Sequence, residues 1–313
     1  LTIAWHPYGA AGALAALIAF AVDHAFGEPQ ARWHPVVWMG RALSACGAPW
    51  PGRAPRAAFL RGSMLWLLLA AVSVSAALAL ERAILRLEGH GASGARIVLA
   101  GVLLGLALKP LLAWRMLHDE VAAVESALEH GVEAGRDRLR HIVSRDTAAL
   151  TSTVVRESAL ESLAENLNDS WVAPLFWFAL GGLPAAVLYR FANTADAMWG
   201  RRGPWEWAGK WAARADDALS YVPARLTALL LAIAAWRWPR GLAREAKRTA
   251  SPNGGWPMAT LALALDVRLS KPGCYELHAG GRIASPQDLA WGLAIAARAA
   301  WGALLIAALA QLA

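Results

Sequence analysis

An all-α, polytopic integral membrane protein is the fold class that three observations predict. The 313 residues are 57% hydrophobic and only 17% charged, with a mean hydropathy of +0.37. That is too apolar for an ordinary soluble domain. Apolar segments recur from end to end, at residues 10–22, 63–80, 97–114, 171–189, 222–238 and 289–312. The two-residue alternation of strands is almost absent. The expectation is a single membrane-embedded domain over 1–313 with four to six membrane-embedded helices. A cytoplasmic helical region, 115–170, would carry a polar site, with polar loops at 190–221 and 239–288 beside it.

A helix needs about twenty residues to cross the hydrocarbon core. Residues 63–80, SMLWLLLAAVSVSAALAL, come nearest to that length. Residues 10–22 are short and run into Asp23; with no basic region before them, they read as a retained membrane segment rather than a signal peptide. Residues 97–114 carry Lys109 and Pro110 near one end, where a lysine can snorkel. Pro174, Gly181, Gly182 and Pro184 predict a bent or re-entrant segment at 171–189. Arg298 stands in the middle of the last segment, which is therefore packed against protein or is not a simple span. Leu117, Val121, Val124, Leu128 and Val132 recur at helical spacing within 115–165. Of the 17 tryptophans, Trp66, Trp114, Trp171, Trp236 and Trp291 flank apolar runs, as belt or core residues do.

Arg32, Arg41, Arg53, Arg56 and Arg61 crowd residues 24–62, whereas the tail before residue 10 has no Lys or Arg. The positive-inside rule then places the N-terminus outside and both 24–62 and 115–170 in the cytoplasm. The net charge of +7 fits cytoplasmic loops and anionic headgroups. Nucleic acid is not the expected partner, because the arginines are scattered among acids. Cys46 and Cys274 give no disulfide framework and no CxxC site.

Four polar clusters abut the apolar segments: Asp23 to Pro29 with His34; Arg145 and Asp146 leading into RESALESLAENLNDSW (156–171); Arg190, Asn193, Asp196, Arg214, Asp216, Asp217 and Arg225; and Ser251-Pro252-Asn253-Gly254-Gly255. Glu157, Glu161, Glu165 and Asp169 fall four apart, so a helix stacks them on one face. Stacked carboxylates suit a hard divalent cation such as Mg²⁺, which usually bridges to substrate phosphates. Arginines grip phosphate or carboxylate bidentately. The alternative is a solvated helix face with Glu–Arg pairs. Gly254 and Gly255 would let backbone N–H groups approach a phosphate, or mark an ordinary turn. No H-E-x-x-H and no G-x-x-x-x-G-K-[ST] occurs, so any nucleotide site is not a P-loop. His6, His90, His118, His130, His141 and His278 stand isolated; His34, before Pro35 and near Glu28, is the histidine candidate.

In this order the clusters resemble the adenosylcobinamide-phosphate synthase family of cobalamin biosynthesis, the CobD/CbiB type. The matching stretches are DHAFGEPQARWHPVVWMG (23–40), SRDTAAL (144–150), the block 156–200, ARADDALSYVPARLTALLL (213–231), SPNGGWPMA (251–259) and KPGCYELHAGGR (271–282). The resemblance implies a bacterial inner-membrane enzyme whose active site faces the cytoplasm. It would be a ligase joining aminopropanol, as its phosphate, to adenosylcobyric acid, with ATP as co-substrate and Mg²⁺ as cofactor. Membrane lipid, a second copy of the chain or other cobalamin-pathway proteins are the further partners expected.

On that footing Glu161, Glu165 and Asp169 would hold Mg²⁺, with Asp196 or Asp217 as second-site ligands. Arg145, Arg190, Arg214 and Arg225 would grip phosphates or the carboxylate, as would Ser251 and Asn253. Asn166 and Asn193 would orient oxygens, and Asp146 or His34 would take a proton from the incoming ammonium. Two departures stand out: Leu263 and Asp266 occupy positions where the family has glycine, and RRGPWEWAGKW (201–211) replaces its usual stretch while keeping Gly209. A transporter, a sensor of the AmpE type and a lipid-headgroup phosphotransferase are the other classes the same residues allow.

Overall fold

The computed structural model describes residues 8–47, 54–87, 93–201, 203 and 205–313. His6, His90 and Arg53 lie outside them. Among the described residues six helices, or helices in continuous series, are long and apolar enough to cross a membrane: Gly9–Phe26, Pro55–Arg86, Gly94–Leu128, Ser152–Trp199, Lys210–Ala234 and Pro286–Ala310. Each predicted apolar segment lies within one of them or overlaps it, so the upper end of the predicted range holds.

The chain forms two compact units, each assembled from separated stretches. Unit one is Leu1–Ala113, Ala173–Leu219 and Leu304–Ala313; unit two is Trp114–Val172 and Ser220–Ala303.

Unit one contains α1 (Gly9–Phe26), α2 (Pro35–Cys46), α3 (Pro55–Arg86), α4 (Gly94–Leu108), α8 (Ala173–Trp199) and the start of α9 (Lys210–Ala234). Helices α1 and α4 pack together through small residues. Ala11, Ala15, Ala16 and Ala19 are buried on α1. On α4, Gly101 and Gly105 form a GxxxG pair, and a Cβ at Gly105 would lie 2.8 Å from the Ala15 carbonyl oxygen. Apolar lipid cannot drive helices together, so close backbone approach does. Helix α3 packs on α8, with Trp66 edge-on to Phe191 at 5.5 Å between ring centroids.

The predicted bend in α8 is real. Gly181 (φ −146°, ψ 21°) and Gly182 (φ 69°, ψ −159°) leave helical geometry. Glu81 of α3 fills the gap: its carboxylate accepts hydrogen bonds from Leu183 N at 2.8 Å and Tyr8 Oη at 2.5 Å. Only glycine fits at 182, where φ is positive and a Cβ would fall 1.5 Å from Tyr8 Oη.

Unit two contains α5 (Trp114–Leu128), α6 (Val132–Leu139), α7 (Ser152–Leu167), a π-helical turn (Asn168–Val172), the rest of α9, α10 (Leu242–Ala246), α11 (Gly255–Leu265), a hairpin of β1 (Leu269–Lys271) and β2 (Tyr275–Leu277), and most of α12 (Pro286–Ala310). Helix α7 packs against α5, α6, α11 and β1. As the period predicted, Leu117, Val121 and Val124 of α5 are buried.

One expectation needs correction, and two others gain detail. Residues 190–221 and 239–288 are not simply loops: they hold the end of α8, the start of α9, α10, α11 and the hairpin. Trp66, Trp114 and Trp171 are core residues, at most 7% exposed, because their helices pack against protein there; Trp236 and Trp291 are 89% and 60% exposed. Asp266 occupies its glycine position with φ 57°, at the left-handed end of α11. Aspartate tolerates that conformation better than most residues.

Candidate functional site

Helix α7 begins at Thr151, whose Oγ1 accepts a hydrogen bond from Val154 N. The four-residue period puts Glu157, Glu161 and Glu165 on one face, but their surroundings differ. Glu157 and Glu161 are 0% and 2% exposed, whereas Glu165 is exposed. A buried carboxylate needs partners. Glu157 accepts from Ser270 N at 3.1 Å and from Ser270 Oγ, with Arg268 3.5 Å away. Glu161 is paired with Arg145 Nη2 at 2.5 Å.

That second pair is only half satisfied. Glu161 Oε1 and Arg145 Nη1 are both buried and make no well-formed hydrogen bond among the described residues, although the Tyr275 hydroxyl stands close enough to act on the Glu161 carboxylate. Buried polar atoms are rarely left so without cause.

Glu165 makes no hydrogen bond or ion pair among the described residues. Its surface is open, yet protein crowds the carboxyl itself: burial acts on it first, then the negative charges of Asp169 and Glu161, countered by Lys271 and Arg145. Tyr275 lies beside Glu161 and Glu165; burial first, then these two carboxylates, push its phenol above the usual range. Strand pairing sets Tyr275 opposite Lys271.

The stripe ends at the π-helical turn. Its wider winding changes the register between α7 and α8. Asn168 Nδ2 donates to Asp169 Oδ1 at 2.8 Å, and Thr227 Oγ1 donates to Asn168 Oδ1 at 3.1 Å. Asn166 uses its amide on its own helix, donating to Ser162 O at 2.9 Å.

The Ser251–Gly255 loop lies against the same place, since a Cβ at Gly254 would sit 3.2 Å from Glu165 Oε1. Two of its backbone N–H groups are not open to a phosphate: Asn253 N and Gly254 N donate to Ser251 Oγ at 3.1 and 3.2 Å. Arg225 donates to Asn253 Oδ1 at 2.5 Å and to Pro252 O at 3.0 Å, and stacks on Tyr221, 3.7 Å from the ring centre. Asp146 is exposed and caps a turn, accepting from Ala148 N at 2.9 Å.

Unit one holds two further polar clusters. In the first, Arg190 Nη1 donates to Asn193 Oδ1 at 3.3 Å, and Asn193 Nδ2 to Asp216 Oδ1 at 3.5 Å. Arg214 lies one turn before Asp217 on α9, and its charge acts on that carboxylate. Asp196 packs against Gly200, where a Cβ would fall 1.8 Å from Oδ1.

In the second, Lys109 pairs with Asp23 at 3.0 Å and with Glu28 at 2.7 Å. Burial would raise the Glu28 carboxyl, but hydrogen bonds from His34 and Lys109 outweigh it and hold the group below its ordinary value. His34 Nδ1 accepts from Val36 N at 3.2 Å, and Nε2 meets Glu28 at 2.8 Å. Both ring nitrogens are engaged, Nδ1 in capping α2 and Nε2 with Glu28.

The predicted residues therefore fall into separate groups. Arg145, Glu161, Glu165, Asp169, Arg225, Ser251 and Asn253 belong to unit two; His34, Arg190, Asn193, Asp196, Arg214 and Asp217 belong to unit one. Among the described residues no three of His, Cys, Asp and Glu converge to hold a metal by themselves. No role for Tyr275, Lys271 or Ser270 was legible in the sequence. Tyr275 and Lys271 stand in the quoted stretch 271–282, but only the hairpin register brings them to α7.

With six apolar helices, the chain is a multi-pass α-helical membrane protein with acid- and arginine-bearing clusters. It matches the family described as CobD/Cbib protein over residues 16–296. It belongs to that family. It is 38% identical to a Rhodobacter capsulatus protein called cobalamin biosynthesis protein CobD, over 93% of this chain and 94% of that one. A probable cobalamin biosynthesis protein CobD of Methanothermobacter thermautotrophicus is 38% identical over 83% of this chain and 85% of its own. One of Thermococcus kodakarensis, with the same description, is 40% identical over 83% of each. No solved structure matches the chain.

Proposed function

We propose that this chain works in cobalamin biosynthesis, joining the amine of aminopropanol phosphate to the free propionate of adenosylcobyric acid. The product is adenosylcobinamide phosphate, and ATP is consumed. The names of its relatives support the pathway. The chemistry of the α7 face supports the reaction class.

A carboxylate oxygen is a poor leaving group. Transfer of the terminal phosphoryl group of ATP to the carboxylate gives an acyl phosphate and ADP. The amine nitrogen then attacks the carbonyl carbon, inorganic phosphate leaves, and the nitrogen loses a proton. Arg145 has a buried, unused Nη1 with which to hold an anionic oxygen. Exposed Glu165, with Asp169 one turn on, would hold Mg²⁺, with Glu161 beside them. Few protein carboxylates suffice, because magnesium keeps waters and takes substrate phosphates as ligands. When bound, it neutralises phosphate oxygens as charge develops. Asp146 or His34 would accept the ammonium proton. A cytoplasmic site in the inner membrane gives access to ATP.

The observation that carries this function is the half-satisfied Arg145–Glu161 pair beside an unpaired, exposed Glu165. The experiment follows ATP consumption by the purified chain with both adenosylcobyric acid and aminopropanol phosphate, and with each omitted. Turnover should need both. Glu165→Gln should abolish product while the protein stays folded. Activity within about threefold of the parent, roughly 0.65 kcal/mol of barrier, would remove Glu165 from the site.

A second class, a transporter, is favoured by broken helix α8 with buried Glu81, a feature transporters use at their binding sites. Nucleotide turnover absent under every combination of corrinoid and amine would select it.

A further inference from the structure

Arg298 is twelve residues into α12, about 18 Å along the helix axis at the usual rise. An arginine so placed in an apolar helix marks a site unless it is paired. Arg298 makes no ion pair among the described residues; its Nε donates only to Ala294 O of its own helix, at 3.3 Å. It lines a cavity of about 540 Å³ in unit two, together with Trp236, Arg237, Asp266, Arg282 and Trp291.

Positive charge dominates this cavity. Arg237 likewise makes no ion pair, donating Nη1 to Ala264 O at 3.0 Å. Arg282 is held by both oxygens of Asp288, each at 2.5 Å. The one carboxylate in the wall, Asp266, is bonded to His278 Nε2 at 2.7 Å; the charges of Arg237 and Arg282 also act on it, but one carboxylate cannot match three guanidinium groups. Arg237 and Arg298 thus keep guanidinium N–H groups for an anion, in a fork geometry that fits phosphate.

The position of the cavity points to the source of that phosphate. Ala235, Trp236 and Arg237 directly follow the end of α9 at Ala234, so the cavity opens where that apolar helix stops; Arg298, seven residues beyond Trp291 on α12, reaches it from deeper in its own helix with a long side chain. Trp236 is 89% and Trp291 60% exposed, as indoles at a lipid–water boundary are. On α9, Leu229 and Ile233 lead up to Trp236 and are also exposed, at 41% and 57%. A soluble phosphate would find no use for that apolar approach; an acyl chain would.

We propose that Arg237 and Arg298 bind the phosphate of an anionic phospholipid headgroup, with Trp236 and Trp291 at the boundary and the chain lying along α9. The site is independent of the amide-forming activity. The test is native mass spectrometry of the full chain in detergent, titrated with phosphatidylglycerol, phosphatidylcholine or inorganic phosphate. The parent should retain one phosphatidylglycerol and prefer it to phosphatidylcholine. Arg237→Gln with Arg298→Gln should weaken phosphatidylglycerol at least tenfold and leave phosphatidylcholine unchanged, whereas Arg96→Gln, on an exposed face of α4, should change neither. Equal retention by parent and double variant would overturn the proposal. Binding of inorganic phosphate in place of the lipid would overturn its source. If the double variant does not fold, Arg298→Gln alone serves, because that exposed side chain bonds only to its own helix.

Discussion

Glu157, Glu161 and Glu165 are chemically identical, and their neighbours give each a different task. Glu157 is tied to β1 through Ser270 and serves packing. Glu161 neutralises Arg145, and Glu165 stays open. Substitutions should separate these tasks. Glu161→Gln leaves the Arg145 charge half-buried and unmatched, which should cost about 3 kcal/mol. A thermal melt in detergent should show a clear fall in Tm, where Glu165→Gln, which breaks no bond, shows almost none. A Glu161→Gln protein as stable as the parent would mean the pair contributes nothing to the fold. The stripe was legible as four acids at a helical spacing. Which of them was buried was not, because burial comes from the hairpin and from the loop at 145, distant in sequence.

At the scale of elements, two departures from regular helix do the positioning. The π-helical turn at Asn168–Val172 ends the acidic stripe, and the break at Gly181–Gly182 lets α3 reach a backbone N–H inside α8. Glycines and prolines at 174–184 announced the break, since their backbone preferences act locally. The partner that makes it tolerable, Glu81, is about a hundred residues earlier and gave no local signal. Gly182→Ala should destabilise by about 3 kcal/mol, adding strain at positive φ to a collision with Tyr8. The yield of folded protein and its Tm measure this; an unchanged melt would mean that α8 can straighten. The GxxxG pair of α4 was likewise present in the sequence, yet only its packing on α1 shows that it is an interface.

For the whole molecule, composition, family and helices agree on a multi-pass membrane protein. The chain should stay with the membrane fraction through alkaline carbonate washing and leave it only with detergent. Release by carbonate alone would contradict six spanning helices. The sequence by itself determined the helical class, the six apolar segments, the acidic spacing and the family, because each is written in composition, local period or residue order. Tertiary structure alone decided that Trp66, Trp114 and Trp171 are core, that His34 has both nitrogens engaged, and that Arg237, Arg282 and Arg298 share one cavity. Those facts depend on which distant segments meet. A period names the face a helix will bury; only packing chooses what it is buried against.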